Sequence, residues 1–345
     1  MKELLKELSL AFGPSGCEDE VRDIIENYLK DKLPKNAEMY RDVNGGLTVH
    51  IPREGAKKLM INAHMDEVGF MITHIEENGL LRFGCVGGID SIVLASKLVV
   101  SERGVKGNII AKPIHVLTPE EREKKTKVEN MFIDIGASSR EDAMKSVFVG
   151  EYFTFSGDYV EYGEGYIKCK ALDDRLGCAI MCRAIKEIAE KNTDTDYDLY
   201  FAFTCREEVG YSGAFGASEK IKPDYAVVIE SKAVADVLGV GERKKVCILG
   251  DGAIVSLADL GTIYDIDFTN HIMELCQKND IKYQIHRIIS GGNDSRNIQT
   301  SVCGAKVGLL SAASRYIHSP CDVVHRDDLE CIYRALMAII EDKER

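Results

Sequence analysis

The sequence contains no basic run. Lys and Arg together number 44 against 56 for Asp and Glu, and the formal charge of -12 argues against nucleic acid or an anionic membrane surface as a partner, since both attract cationic faces. It also lacks any stretch of the ~18 apolar residues that a bilayer-crossing helix requires. The first residues, Met1-Lys-Glu-Leu-Leu-Lys-Glu-Leu-Ser-Leu-Ala-Phe12, interleave charges with apolar positions at helical spacing, where a signal peptide would have a continuous apolar core. Among eleven cysteines there is no C-x-x-C pair. Scattered through apparent core segments, they read as reduced thiols, and the expected location is cytoplasmic. Cys178 and Cys182 stand one helical turn apart, a spacing that fits a half-buried helix face better than a pair of metal ligands.

What is present is ample apolar material. With 45% hydrophobic residues in 345, the chain can build one large domain or two of ordinary size. The run Leu199-Tyr-Phe-Ala-Phe203 reads as a strand covered on both faces, and it leads into two adjacent glutamates, Glu207 and Glu208, followed by a glycine-rich turn. The carboxyl edge of an open α/β sheet is where ligands bind. The rival reading of this stretch is a solvated loop with two surface carboxylates.

The rest of the chain repeats the pattern. Residues 19–31 read as an amphipathic helix after the turn Gly13-Pro-Ser-Gly16. Lys58–Ala63 reads as a strand running into His64, Leu176–Lys191 as a long helix after Asp173-Asp174, and Tyr225–Ile229 as a strand ending at Glu230. Helices are expected near 265–279 and 327–341. Alternating strands and helices imply an α/β domain with a mainly parallel sheet. From roughly 71 to 165 helical periodicity gives way to β-type runs such as Lys97-Leu-Val-Val-Ser101 and Val105-Lys-Gly-Asn-Ile-Ile110, with Pro119–Lys127 as a solvated charged segment. This region reads as a β-rich domain inserted into the α/β domain.

The strand and helix ends carry His64 with Asp66, Asp173 with Asp174, Glu207 with Glu208, Glu230, and His318 within Arg315-Tyr-Ile-His-Ser-Pro320. A hydrolytic two-metal site needs this mixture. Imidazole nitrogens and carboxylate oxygens suit zinc, cobalt or manganese, and one carboxylate can bridge two ions. A further carboxylate must stay off the metals to move protons, and adjacent glutamates can divide those two tasks. In His-x-Asp, the carboxylate can orient the imidazole and fix its tautomer.

At these residues the sequence resembles the M42 metallo-aminopeptidases, which include glutamyl aminopeptidases and the tetrahedral, dodecameric aminopeptidases. The resemblance runs nearly the whole length. It includes Gly13-Pro-Ser-Gly16, His64-Met-Asp-Glu-Val-Gly-Phe70, Ile133-Asp-Ile-Gly-Ala137, Ala171-Leu-Asp-Asp-Arg-Leu-Gly177, Glu207-Glu-Val-Gly210 and Arg315-Tyr-Ile-His-Ser-Pro320. It implies an α/β, mainly parallel-sheet, zinc-peptidase-like catalytic domain, residues 1–70 and 166–345, with an inserted β-rich dimerisation domain, residues 71–165. It implies two divalent metal ions per subunit, zinc or cobalt. His64 and Glu230 would bind one, Glu208 and His318 the other, and Asp173 would bridge them. Asp66 would orient His64, Asp174 would be supporting, and Glu207 would be the general base. The implied substrates are peptides, cleaved at the N-terminal residue, and the implied assembly is a homo-oligomer built from dimers, possibly a dodecamer. Gly291-Gly-Asn-Asp-Ser-Arg296 departs from the family pattern, and Arg296 is a candidate pocket cation for an acidic side chain. Two alternatives compete: an endoglucanase-type glycoside hydrolase using paired carboxylates, which leaves His64 and His318 unexplained, and a non-catalytic oligomeric relative, which should lack a ligand or the base.

Overall fold

The computed structural model describes residues 1–301 and 303–343. Its backbone is an eight-stranded sheet in the order Glu38–Arg41, Leu47–Ile51, Tyr197–Thr204, Lys57–His64, Tyr225–Ala233, Lys306–Ser314, Ala253–Ser256, Tyr283–His286. The four middle strands, from Tyr197–Thr204 to Lys306–Ser314, run parallel, and antiparallel pairs flank them on both sides. All eight residues of Tyr197–Thr204 are buried, as expected for a strand covered on both faces.

Alternation divides the side chains between two cores. Leu59, Ile61 and Ala63 meet the helices Lys2–Leu10, Asp19–Leu29, Leu172–Lys191 and Arg326–Glu341 on one face. Met60, Ala202, Val228 and Leu309 meet Ser212–Ile221 and Ser295–Gln299 on the other. The helix expected near 265–279 is Ile266–Lys278, N-capped by the Asp265 carboxylate, which accepts from the Phe268 N–H. Cys178 and Cys182 are fully buried, deeper than the half-buried face expected, and the Cys178 thiol donates to the His64 carbonyl at 3.2 Å.

One boundary differs from expectation. The strand expected to end at Ile229 continues to Ala233, because its pairing with Lys306–Ser314 extends from Tyr225↔Lys306 through Ala233↔Ser314. Glu230 therefore lies within a strand rather than at its end. Polar Ser231 and Lys232 follow the apolar run, and the neighbouring strand supplies hydrogen bonds that local composition does not announce.

Between His64 and Asp173 the chain forms a closed six-stranded barrel, in the order Gly69–Ile75, Leu81–Val86, Phe132–Asp134, Lys106–Ile110, Leu98–Ser101, Tyr152–Phe155. Its interior is aromatic and aliphatic, with Phe70 edge-on to Phe83 and Phe155 at centroid distances of 5.3 and 5.0 Å. Within the segment 119–127, Pro119–Arg122 form a single helical turn capped by Thr118, and every residue is exposed except the half-buried Thr126. The chain leaves the barrel through the strand Tyr166–Cys169, which pairs with Asp322–His325. Both the entry and the exit of the barrel thus lie beside the carboxyl edge of the large sheet.

Candidate active site

His64 is the last residue of its strand and is 2% exposed. Its Nδ1 lies 3.1 Å from the Asp66 backbone carbonyl, an acceptor that places the proton on Nδ1 and leaves the Nε2 lone pair free for a ligand role. Nε2 is 3.5 Å from Asp173 Oδ1 and 3.6 Å from Glu230 Oε1. On the other side, His318 Nε2 is 3.2 Å from both Asp173 Oδ2 and Glu208 Oε1. Its Nδ1 is 2.7 Å from the Gly88 carbonyl, two residues beyond the barrel strand Leu81–Val86. The two oxygens of Asp173 therefore face two different histidines.

Two sets of potential ligand atoms result, each within 4.8 Å: His64, Asp174 and Glu230, and Asp173, Glu208 and His318. Asp174, read from the sequence as supporting, stands in the first set. Asp173 and Asp174 open the helix Leu172–Lys191 with non-helical backbone angles, which turns both carboxylates toward the sheet edge. Asp173 Oδ1 and Asp174 Oδ2 are buried with no hydrogen-bond partner. Buried carboxylate oxygens without donors, interleaved with imidazole nitrogens, match the donor chemistry of divalent cations.

The charges crowd one another. Burial, then Asp173, pushes Glu230 up to about 8. Burial, then Glu230, raises Asp174 well above the carboxylate range. Against the burial that would lower it, Asp173 and Glu208 hold His318 up, to about 12.

Glu207 and Glu208 have different surroundings. Glu207 is 7% exposed and lines a cavity of about 520 Å³, yet its carboxylate makes no hydrogen bond or ion pair with any described residue. It belongs to neither ligand set. Burial raises its pKa well above the ordinary value; His64 opposes the rise, and Glu230 and Glu208 add to it.

Asp66 does more than stand beside His64. Its carboxylate accepts the backbone N–H of Glu207 at 3.0 Å and of Glu208 at 3.2 Å, and the Ser15 hydroxyl at 2.5 Å. It thereby anchors the turn that presents both glutamates. Gly87 must be glycine here: its φ is +86°, and a Cβ would lie 2.8 Å from Val68 and 3.2 Å from the Glu208 Cβ.

Arg296 does not reach the cavity. It is exposed, and its aliphatic stem lies against Gly261. Asn293, from the same departing segment, is buried and donates to Asp259 and Tyr264. The cation that lines the cavity is Lys232, which sequence reasoning passed over because its strand was cut short at Ile229.

The sequence profile of the M42 glutamyl aminopeptidases matches residues 45–334. The chain belongs to the M42 peptidase family. A relative from Acetivibrio thermocellus, provisionally named an aminopeptidase, is 34% identical over 340 residues, covering 99% of this chain and 98% of that one. The solved TET aminopeptidase of a Thaumarchaeota archaeon from marine sediment superposes with a TM-score of 0.95 at 30% identity, covering 99% and 96% of the two chains. The TET1 peptidase of Pyrococcus horikoshii, solved as a dodecamer, superposes with a TM-score of 0.87 at 33% identity over 99% and 98%. This M42 chain is thus a peptidase-type hydrolase of a metallopeptidase family with a mixed α/β fold. Among its described residues, no helix is long and apolar enough to cross a membrane.

Proposed function

We propose that this chain is a two-metal aminopeptidase that removes the N-terminal residue of peptides. The observation that carries the reading is the division of labour around Asp173: its two oxygens face His64 and His318 separately, while Glu207 lies beside both ligand sets and joins neither. His64 and Glu230, with Asp174 beside them, would hold one cation; Glu208 and His318 would hold the other; Asp173 would bridge. Zinc or cobalt suits this mixture of imidazole and carboxylate. When bound, the cations supply Lewis-acid polarisation of the scissile carbonyl and a more acidic attacking water.

The chain's own residues then move the protons. Glu207, facing the cavity with an uncommitted carboxylate, takes a proton from the attacking water as its oxygen bonds to the carbonyl carbon. When the carbon–nitrogen bond breaks, Glu207 returns that proton to the leaving amine. Asp66 positions the base through the Glu207 and Glu208 amides. A two-carboxylate glycosidase would leave both histidines without a task.

Residues 1–70 and 166–345 would form the catalytic domain and 71–165 the dimerisation domain, with dimers assembling into a dodecamer in the cytoplasm. Eleven free cysteines suit that reducing compartment.

The test is hydrolysis of unblocked aminoacyl anilides, acidic, basic and aliphatic, before and after chelation and after adding back zinc or cobalt. Turnover should disappear with the chelator and return with metal, and N-acetylated anilides should be refused. Chelator-resistant turnover, or none on any unblocked anilide with metal bound, contradicts the proposal.

A further inference from the structure

Four residues beyond Glu207, on the turn that presents both glutamates, stands Tyr211. Its backbone N–H donates to the Glu207 carbonyl at 3.0 Å, and its own carbonyl accepts from the Asn297 side-chain amide at 3.0 Å. Its φ of +62° is left-handed, a conformation that bulky side chains rarely adopt. Tyr211 occupies the N-cap of the helix Ser212–Ile221 yet makes no capping hydrogen bond through its side chain, so the helix does not account for a tyrosine here. The ring is half-buried and lines the cavity together with Glu207 and Gly292. Its hydroxyl makes no hydrogen bond with any described residue.

Gly292 makes room for that hydroxyl. A Cβ on Gly292 would lie 2.8 Å from the Tyr211 hydroxyl oxygen and 3.7 Å from the ring carbon that bears it. The hydroxyl thus reaches from the turn of Glu207 to the loop at Gly292, and a side chain at 292 would displace the oxygen but tolerate the ring. Asp173, Glu207, Glu208 and Glu230 give the same wall four carboxylates, which accept hydrogen bonds when ionised and donate none. The Lys232 ammonium already donates to the Ser290 carbonyl at 3.2 Å. A carbonyl oxygen that gains negative charge in this cavity is stabilised by a fixed donor with no competing acceptor, and the Tyr211 hydroxyl is such a donor. Burial, then the Glu207 charge, raises its pKa, so the phenol keeps its proton.

We propose that Tyr211 is a further catalytic residue, its hydroxyl donating a hydrogen bond to the oxygen of the scissile carbonyl as negative charge develops there. The contact strengthens as the oxygen of the attacking water bonds to the carbonyl carbon, so it lowers the barrier more than it tightens substrate binding. The phenol proton stays on Tyr211 throughout; Glu207 alone takes up a proton and returns it. The proposal rests on the aminopeptidase reading.

The experiment measures kcat, KM and metal content for the metal-loaded wild type, Tyr211→Phe, Gly292→Ala and the double variant, on the unblocked aminoacyl anilide that wild type cleaves fastest. Calorimetry alongside compares the matching free amino acid with its α-aminophosphonic acid analogue, whose tetrahedral anionic oxygens stand in for the charged carbonyl oxygen. Tyr211→Phe should lower kcat roughly 10–100-fold, the effect of losing a hydrogen bond to a charged group, with KM and metal content unchanged. Affinity for the phosphonic acid should fall by a similar factor while affinity for the amino acid holds. Gly292→Ala should slow the wild type by pushing the hydroxyl aside and should cost Tyr211→Phe nothing further, because only the hydroxyl oxygen stands too close to the added Cβ. Unchanged kcat in Tyr211→Phe overturns the proposal. So does a rise in KM alone, which would make Tyr211 a contact to the bound substrate only, a loss of metal, which would make it a support of the turn, or an equal cost of Gly292→Ala in both backgrounds. Wild-type turnover matched by Tyr211→Phe overturns this proposal alone; a wild type that cleaves no unblocked anilide overturns the aminopeptidase reading and this proposal with it.

Discussion

Glu207 and Glu208 are one backbone step apart, yet their carboxylates face different partners: Glu208 looks at His318, and Glu207 looks into the cavity. Asp66 holds that difference in place, because it accepts both glutamate amides and the Ser15 hydroxyl. Asp66→Asn keeps the size and one oxygen acceptor but removes the charge and turns the other acceptor into a donor. Steady-state kinetics should show a ~10–100-fold loss of kcat with the metals retained, as for partners lying just outside a metal's ligands. Unchanged turnover would mean the turn holds itself. His64, Asp173, Glu208 and His318 were legible in the sequence as candidate ligands because they sit in short ordered motifs at or near strand and helix ends, whereas Glu230 lies inside its strand. Lys232 and the second task of Asp66 were not, because each depends on contacts between segments far apart in the chain: Lys232 with Ser290, and Asp66 with Ser15, Glu207 and Glu208.

The elements around the site are stitched where the barrel joins the sheet. Glu67 precedes the first barrel strand and Lys170 follows the last, and both side chains are 3% exposed. Lys170 Nζ lies 2.6 Å from Glu67 Oε1 and 2.8 Å from the Ala11 carbonyl, and the Thr154 hydroxyl donates to Glu67 Oε2 at 2.8 Å. Lys170→Met would strip Glu67 of its closest cation, leaving Arg175 at 3.5 Å. Denaturant unfolding should show a loss of about 3 kcal/mol, the penalty for breaking a buried pair on one side. A loss below about 0.5 kcal/mol, the range of ordinary surface changes, would mean that Arg175 substitutes fully. At this scale the sequence was most readable where burial is continuous: Leu199–Phe203 lies inside Tyr197–Thr204, and 327–341 inside Arg326–Glu341. It was least readable at Glu230, where a polar tail continues a strand because a parallel neighbour completes its ladder.

At the scale of the whole molecule, the barrel interrupts the chain between His64 and Asp173, and its Gly88 carbonyl receives His318. A module proposed for subunit contacts thus also touches the site. Light scattering on the purified protein should give a particle of twelve times the 38.3 kDa chain mass; a monomer at micromolar concentration would remove the barrel's proposed dimerisation role while leaving the site intact. The most direct test of the central claim treats the holoenzyme as one object: metal per chain and turnover measured together on Glu207→Gln. The account predicts wild-type metal content with turnover of unblocked aminoacyl anilides reduced by about 10²–10⁴-fold, the contribution of a lost general base. Loss of metal together with turnover would make Glu207 a ligand, and retained turnover would remove it from the reaction; either result contradicts the account.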